Sequence, residues 1–279
     1  MDRKIAFGAM LCLYRGNTAS EVNEALASAF DQQTLPPAQL IAVFDGPVSQ
    51  DVVEVIDRYS EIHDVVRVRF ESCRGHGAAR AAAIEVCNHE WIAIIDADDV
   101  SAPNRFQVLF DCALSQPHTA AIGAGYVEFE VDSNGVKVFG QSVRLPEEPD
   151  AVRRYIALRS PVAQPTAILR VSAVRAVGNY QHWFRNEDYY LWIRLVSAGF
   201  QIRNVPDQLL WFRKTSNLIT RRGGFKYWWS EVQLQLFSYR IGTTTLSYLV
   251  VGSVLRFIVQ VLMPVQLRSL FYSKLLRNL

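Results

Sequence analysis

The first hundred residues alternate short apolar runs with longer helical patterns, and that alternation leaves few folds open. Ile5 to Leu13 reads as a strand and Thr18 to Phe30 as a helix, with Thr18 or Ser20 as its N-cap. Gln39 to Phe44 reads as a second strand that stops at Asp45-Gly46-Pro47, and Ser49 to Tyr59 as a second helix. Val65 to Phe70 is a third strand, Gly77 to Cys87 an Ala-rich helix and Trp91 to Ile95 a fourth strand. Runs that are apolar throughout are buried on both faces. Strand and helix alternating at this spacing therefore predict an α/β fold, a Rossmann-like, mostly parallel sheet flanked by helices. In such sheets ligands bind beyond the carboxyl ends of the strands, where Asp45 and Asp96 both fall.

The second half is less regular. Ala120 to Val131 and Gly135 to Gly140 read as strands joined by a turn that ends in Asn134-Gly135. Gln164-Pro165 separates two apolar segments, Ser172 to Val177 is a short helix stopped by Gly178, and Glu187 to Ala198 a helix stopped by Gly199. No internal repeat or low-complexity tract interrupts this body, so residues 1–215 are expected to form one domain and 216–279 a tail.

Half of the 279 residues are apolar, which allows a sizeable core and excludes a disordered chain. The net charge of +2 hides an asymmetry, because residues 203–279 hold 11 Lys/Arg against two acids, Asp207 and Glu231. The tail thus favours an anionic partner and the body does not. Nucleic acid is not among the expected partners. The four cysteines form no CxxC pair and have no His at metal-ligand spacing, which points to reduced thiols and a cytoplasmic setting. The opening MDRKIAFGAMLCLYRG lacks a small-residue cleavage site and is read as the first strand rather than a leader.

Within the tail, Leu246, Leu249, Val250, Val254, Phe257, Ile258, Val261, Leu262 and Val265 recur at helical spacing, and Gly252, Arg256 and Gln260 trace a narrow polar stripe. A central Arg256 costs about 2.5–3.5 kcal/mol in a bilayer, and Pro264 breaks the end. A helix lying on the membrane is expected, with Arg268, Lys274 and Arg277 available to anionic headgroups. A core helix or a dimer contact is the alternative.

The apolar run Trp91 to Ile95 leads straight into Asp96, Asp98 and Asp99. Such crowded carboxylates suit a hard divalent cation, since Mg²⁺ accepts one or two carboxylates plus phosphate oxygens. An acidic pair also occurs in solvated turns and at helix caps, so the triplet alone leaves these open.

Several segments taken together resemble the inverting family 2 glycosyltransferases of the GT-A fold, of the bacterial exopolysaccharide and lipopolysaccharide type. They are MLCLYRGN, DQQTLPPAQLIAVFDGP, CRGHGAAR, IIDADDVSAPNRF and NEDYYLWIRLVSAGF, in consistent order over about residues 4 to 215. The resemblance implies a nucleotide-diphosphate sugar donor, Mg²⁺ or Mn²⁺, and a glycan or lipid-linked acceptor. It implies that Leu13 and Tyr14 lie against the base, that Asp45 accepts a hydrogen bond from it, and that Arg80 binds the nucleotide. Asp96, Ala97 and Asp98 would meet the sugar nucleotide, with Asp98 and Asp99 on the metal. Asp188 would be the general base, with Glu187 shaping the acceptor site, and inversion would follow from direct displacement. His182, Trp183 and Phe184 could stack on an acceptor sugar, though aromatics at this density are more often packing residues. Arg213, Arg221 and Arg222 are candidates for phosphate contacts or for a lipid-facing surface. The processive synthases' Gln-x-x-Arg-Trp is absent, which favours transfer of one sugar per encounter, on the inner face of the cell membrane.

Two alternatives stand beside this. IIDADDV also fits the nucleophile motif of haloacid-dehalogenase-type phosphohydrolases, and a non-catalytic membrane-associated protein that binds nucleotide-sugars could share the fold.

Overall fold

The computed structural model describes residues 5–214 and 223–268. Strands β1 (Gly8–Leu13), β2 (Gln39–Phe44), β3 (Asp64–Arg69) and β4 (Trp91–Ile95) are parallel, in the order β3-β2-β1-β4. Helices α1 (Ala19–Ala29), α2 (Gln50–Ile62) and α3 (His76–Val86) connect them as the apolar pattern predicts. Successive side chains of these strands enter opposite cores. Leu11, Leu13, Leu40 and Phe44 pack with α1 and α2, while Met10, Ile41 and Val43 pack with α3. Burial on both faces is why β1 and β4 lack charged residues, whereas β3 at the sheet edge carries Arg67 and Arg69. Thr18 caps α1, its hydroxyl accepting from the Glu21 amide at 3.3 Å and donating to the Glu21 carboxylate at 2.8 Å.

Beyond β4 the sheet becomes mixed. The chain continues through β5 (Val100–Ser101), α4 (Arg105–Ser115), β6 (Thr119–Val131), β7 (Lys137–Val143), α5 (Pro149–Tyr155), β8 (Ile168–Arg170), α6 (Val171–Ala176), α7 (Glu187–Ser197) and β9 (Gln201–Arg213). The full order is β3-β2-β1-β4-β8-β6-β9-β5, with β7 on β6. β8 is antiparallel to β4 and β6, β9 is parallel to β6, and β5 is antiparallel to β9. Neither α4 nor β9 is evident from the sequence pattern. In β9, Gln201, Arg203, Asp207 and Gln208 interrupt the apolar run because the strand is buried only in part.

The link from β4 to β5 is only Asp96–Asp99, yet β8, β6 and β9 lie between them in the sheet. Five Cα steps reach at most about 17 Å. Four flat strand spacings need about 19 Å, so the sheet must curl back on itself. The register of β6 and β9 shows where. Ala124 faces Val205, Gly125 faces Gln208 and Tyr126 faces Leu210, so β9 carries Pro206, Asp207 and Leu209 with no opposite number. Extra residues on one strand bend it. Gly125 sits in the bend, where a Cβ would lie 2.7 Å from the Val143 carbonyl oxygen.

Past the expected boundary at 215, residues 215–222 lie outside the described set, and α8 (Phe225–Arg240) packs back on the body. Leu234 enters the core beside α7, Trp183 Nε1 donates to the Ser230 carbonyl at 3.1 Å, and Ser230 Oγ donates to the Phe184 carbonyl at 2.8 Å. Next, α9 (Leu246–Phe257) passes into a π-helical turn at Ile258–Leu262. The polar stripe faces the protein. Arg256 and Gln260 both reach the Glu231 carboxylate of α8, at 3.2 and 2.7 Å. Arg268, expected at the surface for headgroups, is instead buried and donates to the Gln260 carbonyl at 2.8 Å, while Lys274 and Arg277 fall outside the described residues. Among the described residues, no helix is long and apolar enough to cross a membrane.

Gly125→Ala is expected to lower stability by about 1–3 kcal/mol through overpacking against Val143, read from the urea midpoint. Gly140→Ala on β7, where a Cβ meets its nearest neighbour at 3.6 Å, should change it little.

Candidate active site

At the end of β2, Asp45 is buried and holds the loop that leads into α3. Its Oδ1 accepts from the Arg74 amide at 2.6 Å, and Oδ2 accepts from the Gly75 amide at 2.9 Å and the Cys73 thiol at 3.2 Å. Gly46 has φ +84°, and a Cβ there would lie 2.8 Å from the Cys73 nitrogen, so the loop can close against the strand end only over a glycine. Oδ1 keeps a second lone pair, which leaves Asp45 able to meet a ligand as well. Leu13 is fully buried in the core, whereas Tyr14 beside it is 40% exposed.

The acids after β4 separate by environment. Asp96 and Asp98 are half-buried, whereas Ala97 and Asp99 are buried. Burial, with Asp96 beside it, pushes the Asp98 carboxyl up to about 6. Burial and the neighbouring Asp96 and Asp98 hold Asp99 well above the ordinary carboxylate range. Arg213 at the end of β9 pins this turn. Its backbone N–H donates to Asp99 Oδ1 at 2.8 Å, its Nε to the Asp98 carbonyl at 2.8 Å and its Nη2 to Glu24 on α1 at 2.6 Å. It is therefore committed to the acid turn, where the sequence suggests only a phosphate contact or a lipid-facing surface. Arg221 and Arg222 lie outside the described residues.

Arg105, the first residue of α4, is fully buried beneath the same turn. It donates to Ser101 Oγ at 2.9 Å and to the carbonyls of Ile94 and Pro165 at 2.7 and 2.6 Å. Burial brings its pKa down to about 10, against the pull of Asp99 and Asp96. Its sequence signal is the Pro-x-Arg, Pro103 to Arg105, that follows the acids in IIDADDVSAPNRF.

The acceptor-side acids open α7 after the buried Asn186, and Arg80 joins them to the acid turn. Its Nη1 donates to Glu187 Oε1 at 2.8 Å and its Nη2 to Asp96 Oδ1 at 3.4 Å, with the Arg side chain 8% exposed. Burial works against the guanidinium charge, but Asp96 and Glu187 outweigh it and raise its pKa. Gly77, one turn earlier on α3, lets the chain before α7 approach, since a Cβ there would already be 3.3 Å from the Gln181 carbonyl. Asp188 follows Glu187 in the same first turn and is half-buried. Tyr180 and Gln164, which the sequence did not single out, pack as a buried pair near these groups, Gln164 Nε2 donating to Tyr180 Oη at 2.9 Å. Of the three aromatics, Trp183 is a packing residue, 4.5 Å from the Tyr190 ring, while His182 is exposed.

Among the described residues no three His, Cys, Asp or Glu side chains converge to hold a metal by themselves. The donor set nevertheless fits a hard divalent cation that takes part of its shell from phosphate. Asp98 is half-buried, Asp99 Oδ2 is buried with no hydrogen-bond partner, and burial, with Asp96 close to both, already raises both groups.

The profile of Glycosyl transferase family 2 matches residues 11–178. The chain is 31% identical to the amylovoran biosynthesis glycosyltransferase AmsE of Erwinia amylovora, over 96% of this chain and 98% of that one. It is 25% identical to a UDP-Gal:α-D-GlcNAc-diphosphoundecaprenol β-1,3-galactosyltransferase of Escherichia coli, over 98% and 97%. Among solved structures it resembles the mannosyltransferase PcManGT of Pyrobaculum calidifontis, in complex with GDP-Man and Mn²⁺, with TM-score 0.64 and 15% identity over 91% of this chain and 69% of that one. It also resembles S. aureus TarS 1–349 in complex with UDP-GlcNAc, with TM-score 0.63 and 15% identity over 97% and 76%. The fold is that of the GT-A glycosyltransferases, and these matches do not favour the phosphohydrolase alternative. The chain belongs to glycosyltransferase family 2, among enzymes of bacterial polysaccharide assembly.

Proposed function

We propose that this protein transfers one hexose from a UDP-sugar, such as UDP-galactose or UDP-glucose, to a hydroxyl of a glycan or lipid-linked acceptor, with inversion. The observation that carries this reading is Arg80, which ties Asp96 at the donor end of the sheet to Glu187 beside Asp188. One buried cation thereby joins a donor site and a base site in a single floor. Tyr14 and Asp45 receive the base, and Asp96 to Asp98 face the sugar diphosphate. Asp98 and Asp99 would hold Mg²⁺ or Mn²⁺, which when bound would neutralise the diphosphate and improve it as a leaving group. Asp188 takes the proton from the acceptor hydroxyl, the freed oxygen bonds to the anomeric carbon, and the bond from that carbon to the diphosphate breaks. Glu187, held by Arg80, is fixed as an orienting group and leaves the proton to Asp188. No covalent enzyme intermediate is needed.

The acceptor reading draws on the relative whose name specifies a diphosphoundecaprenol-linked acceptor. It fits a basic C-terminal segment, residues 216–279, held against the inner face of the cell membrane.

The direct test is a panel of nucleotide-sugars with Mn²⁺ and lipid-linked acceptors, scored by nucleotide release and product. Turnover of no sugar nucleotide would overturn the proposal. Asp188→Asn is expected to keep donor affinity while transfer falls about 10²–10⁴-fold, and an active Asn variant would move the base to Glu187. Asp98→Ala should abolish metal-dependent binding of UDP. Because Asp98 takes up a proton below about 6, Mn²⁺-dependent UDP binding should weaken as the pH falls through that value, measurable by titration calorimetry.

A further inference from the structure

The last described helix is inside out with respect to water. No residue of α9 is buried, yet Val250, Val251, Val254 and Leu255, with Ile258 in the turn that follows, are 44–57% exposed. The polar groups point the other way. Arg256 and Gln260 are both spent on Glu231, and Gln260 is 4% exposed. A helix resting on a protein body in water has the reverse arrangement, because each exposed apolar side chain forgoes burial. On α8, Trp229 is 48% exposed as well.

We infer that the outward face of α9, together with Trp229, seats in the boundary between headgroups and acyl chains of an anionic lipid bilayer. This rests on the membrane-side reading above and deepens it, since it fixes which residues of the apolar face enter the lipid and withdraws Arg268, which the body buries. Charge decides between lipid and a second copy of the chain. Residues 216–279 carry eight Lys/Arg against one acid, Glu231, and six of the eight remain once Arg256, which faces Glu231, and the buried Arg268 are set aside. That surplus attracts anionic headgroups and repels an identical surface. With no described helix long enough to cross, the helix lies in the interfacial plane. An exposed Trp suits that depth, having an apolar ring and a polar N–H.

The test is sedimentation of the full chain with phosphatidylcholine–phosphatidylglycerol vesicles at low and high salt, beside transfer to a water-soluble acceptor. The wild type should remain bound at high salt. Val254→Glu with Ile258→Glu should weaken binding about tenfold or more, with soluble-acceptor transfer unchanged. Brominated lipid should quench the fluorescence that Trp229→Phe removes, a readout independent of how the double variant folds. Release of the wild type by salt alone, absence of quenching, or a dimer broken by the double variant while vesicle binding persists would each overturn the inference. Vesicle binding without any sugar transfer would instead sink the enzymatic reading and leave the docking surface standing.

Discussion

The site depends on a buried guanidinium between two carboxylates that the chain places far apart. Arg80 and Glu187 are separated by 107 positions, and Arg80 and Asp96 by 16. Without the arginine, Asp96 and Glu187 would face each other across a partly dry floor. With it, both carboxylates share one guanidinium. Removing one partner of such a group leaves the others buried and unpaired, so the three are coupled rather than additive.

The arginines around the acid turn divide the remaining work. Arg105 supports the turn from below through carbonyls, and Arg213 holds its outer side through the backbone of Asp98 and the carboxylate of Asp99. Neither offers its guanidinium to the open face. On that face Asp96 meets only Arg80 among the described residues, at 3.4 Å, and Asp98 stands half-buried beside it.

The parallel half of the sheet could be read directly because Leu40–Phe44 and Trp91–Ile95 are apolar throughout and Thr18 carries a capping signal. Asp45 and Asp96 to Asp99 follow from the same strand ends, while Arg80, inside α3, is implied only by the family resemblance. The mixed half was hidden for a physical reason. β9 is partly exposed, contains Pro206, and takes its shape from a bulge against β6 that no local pattern encodes. Leu13 is buried while Tyr14 beside it is exposed, since the period-two alternation that makes a strand also decides which of two adjacent residues is core. The tail's polar stripe was visible, but its direction was not, because periodicity identifies a face without saying what it faces.

The three residues that β9 carries beyond its partner have a kinetic consequence. They bring Arg213 to residues 114 and 189 positions away, at Asp99 and Glu24. Contacts of such separation form late, after the local strand–helix units have closed. A chain emerging from synthesis can therefore complete β1 to β4 while its acid turn still lacks two of the three arginine-borne ties that shape it. Competence to bind an anionic donor would then be acquired in one final step, when the curled edge of the sheet closes.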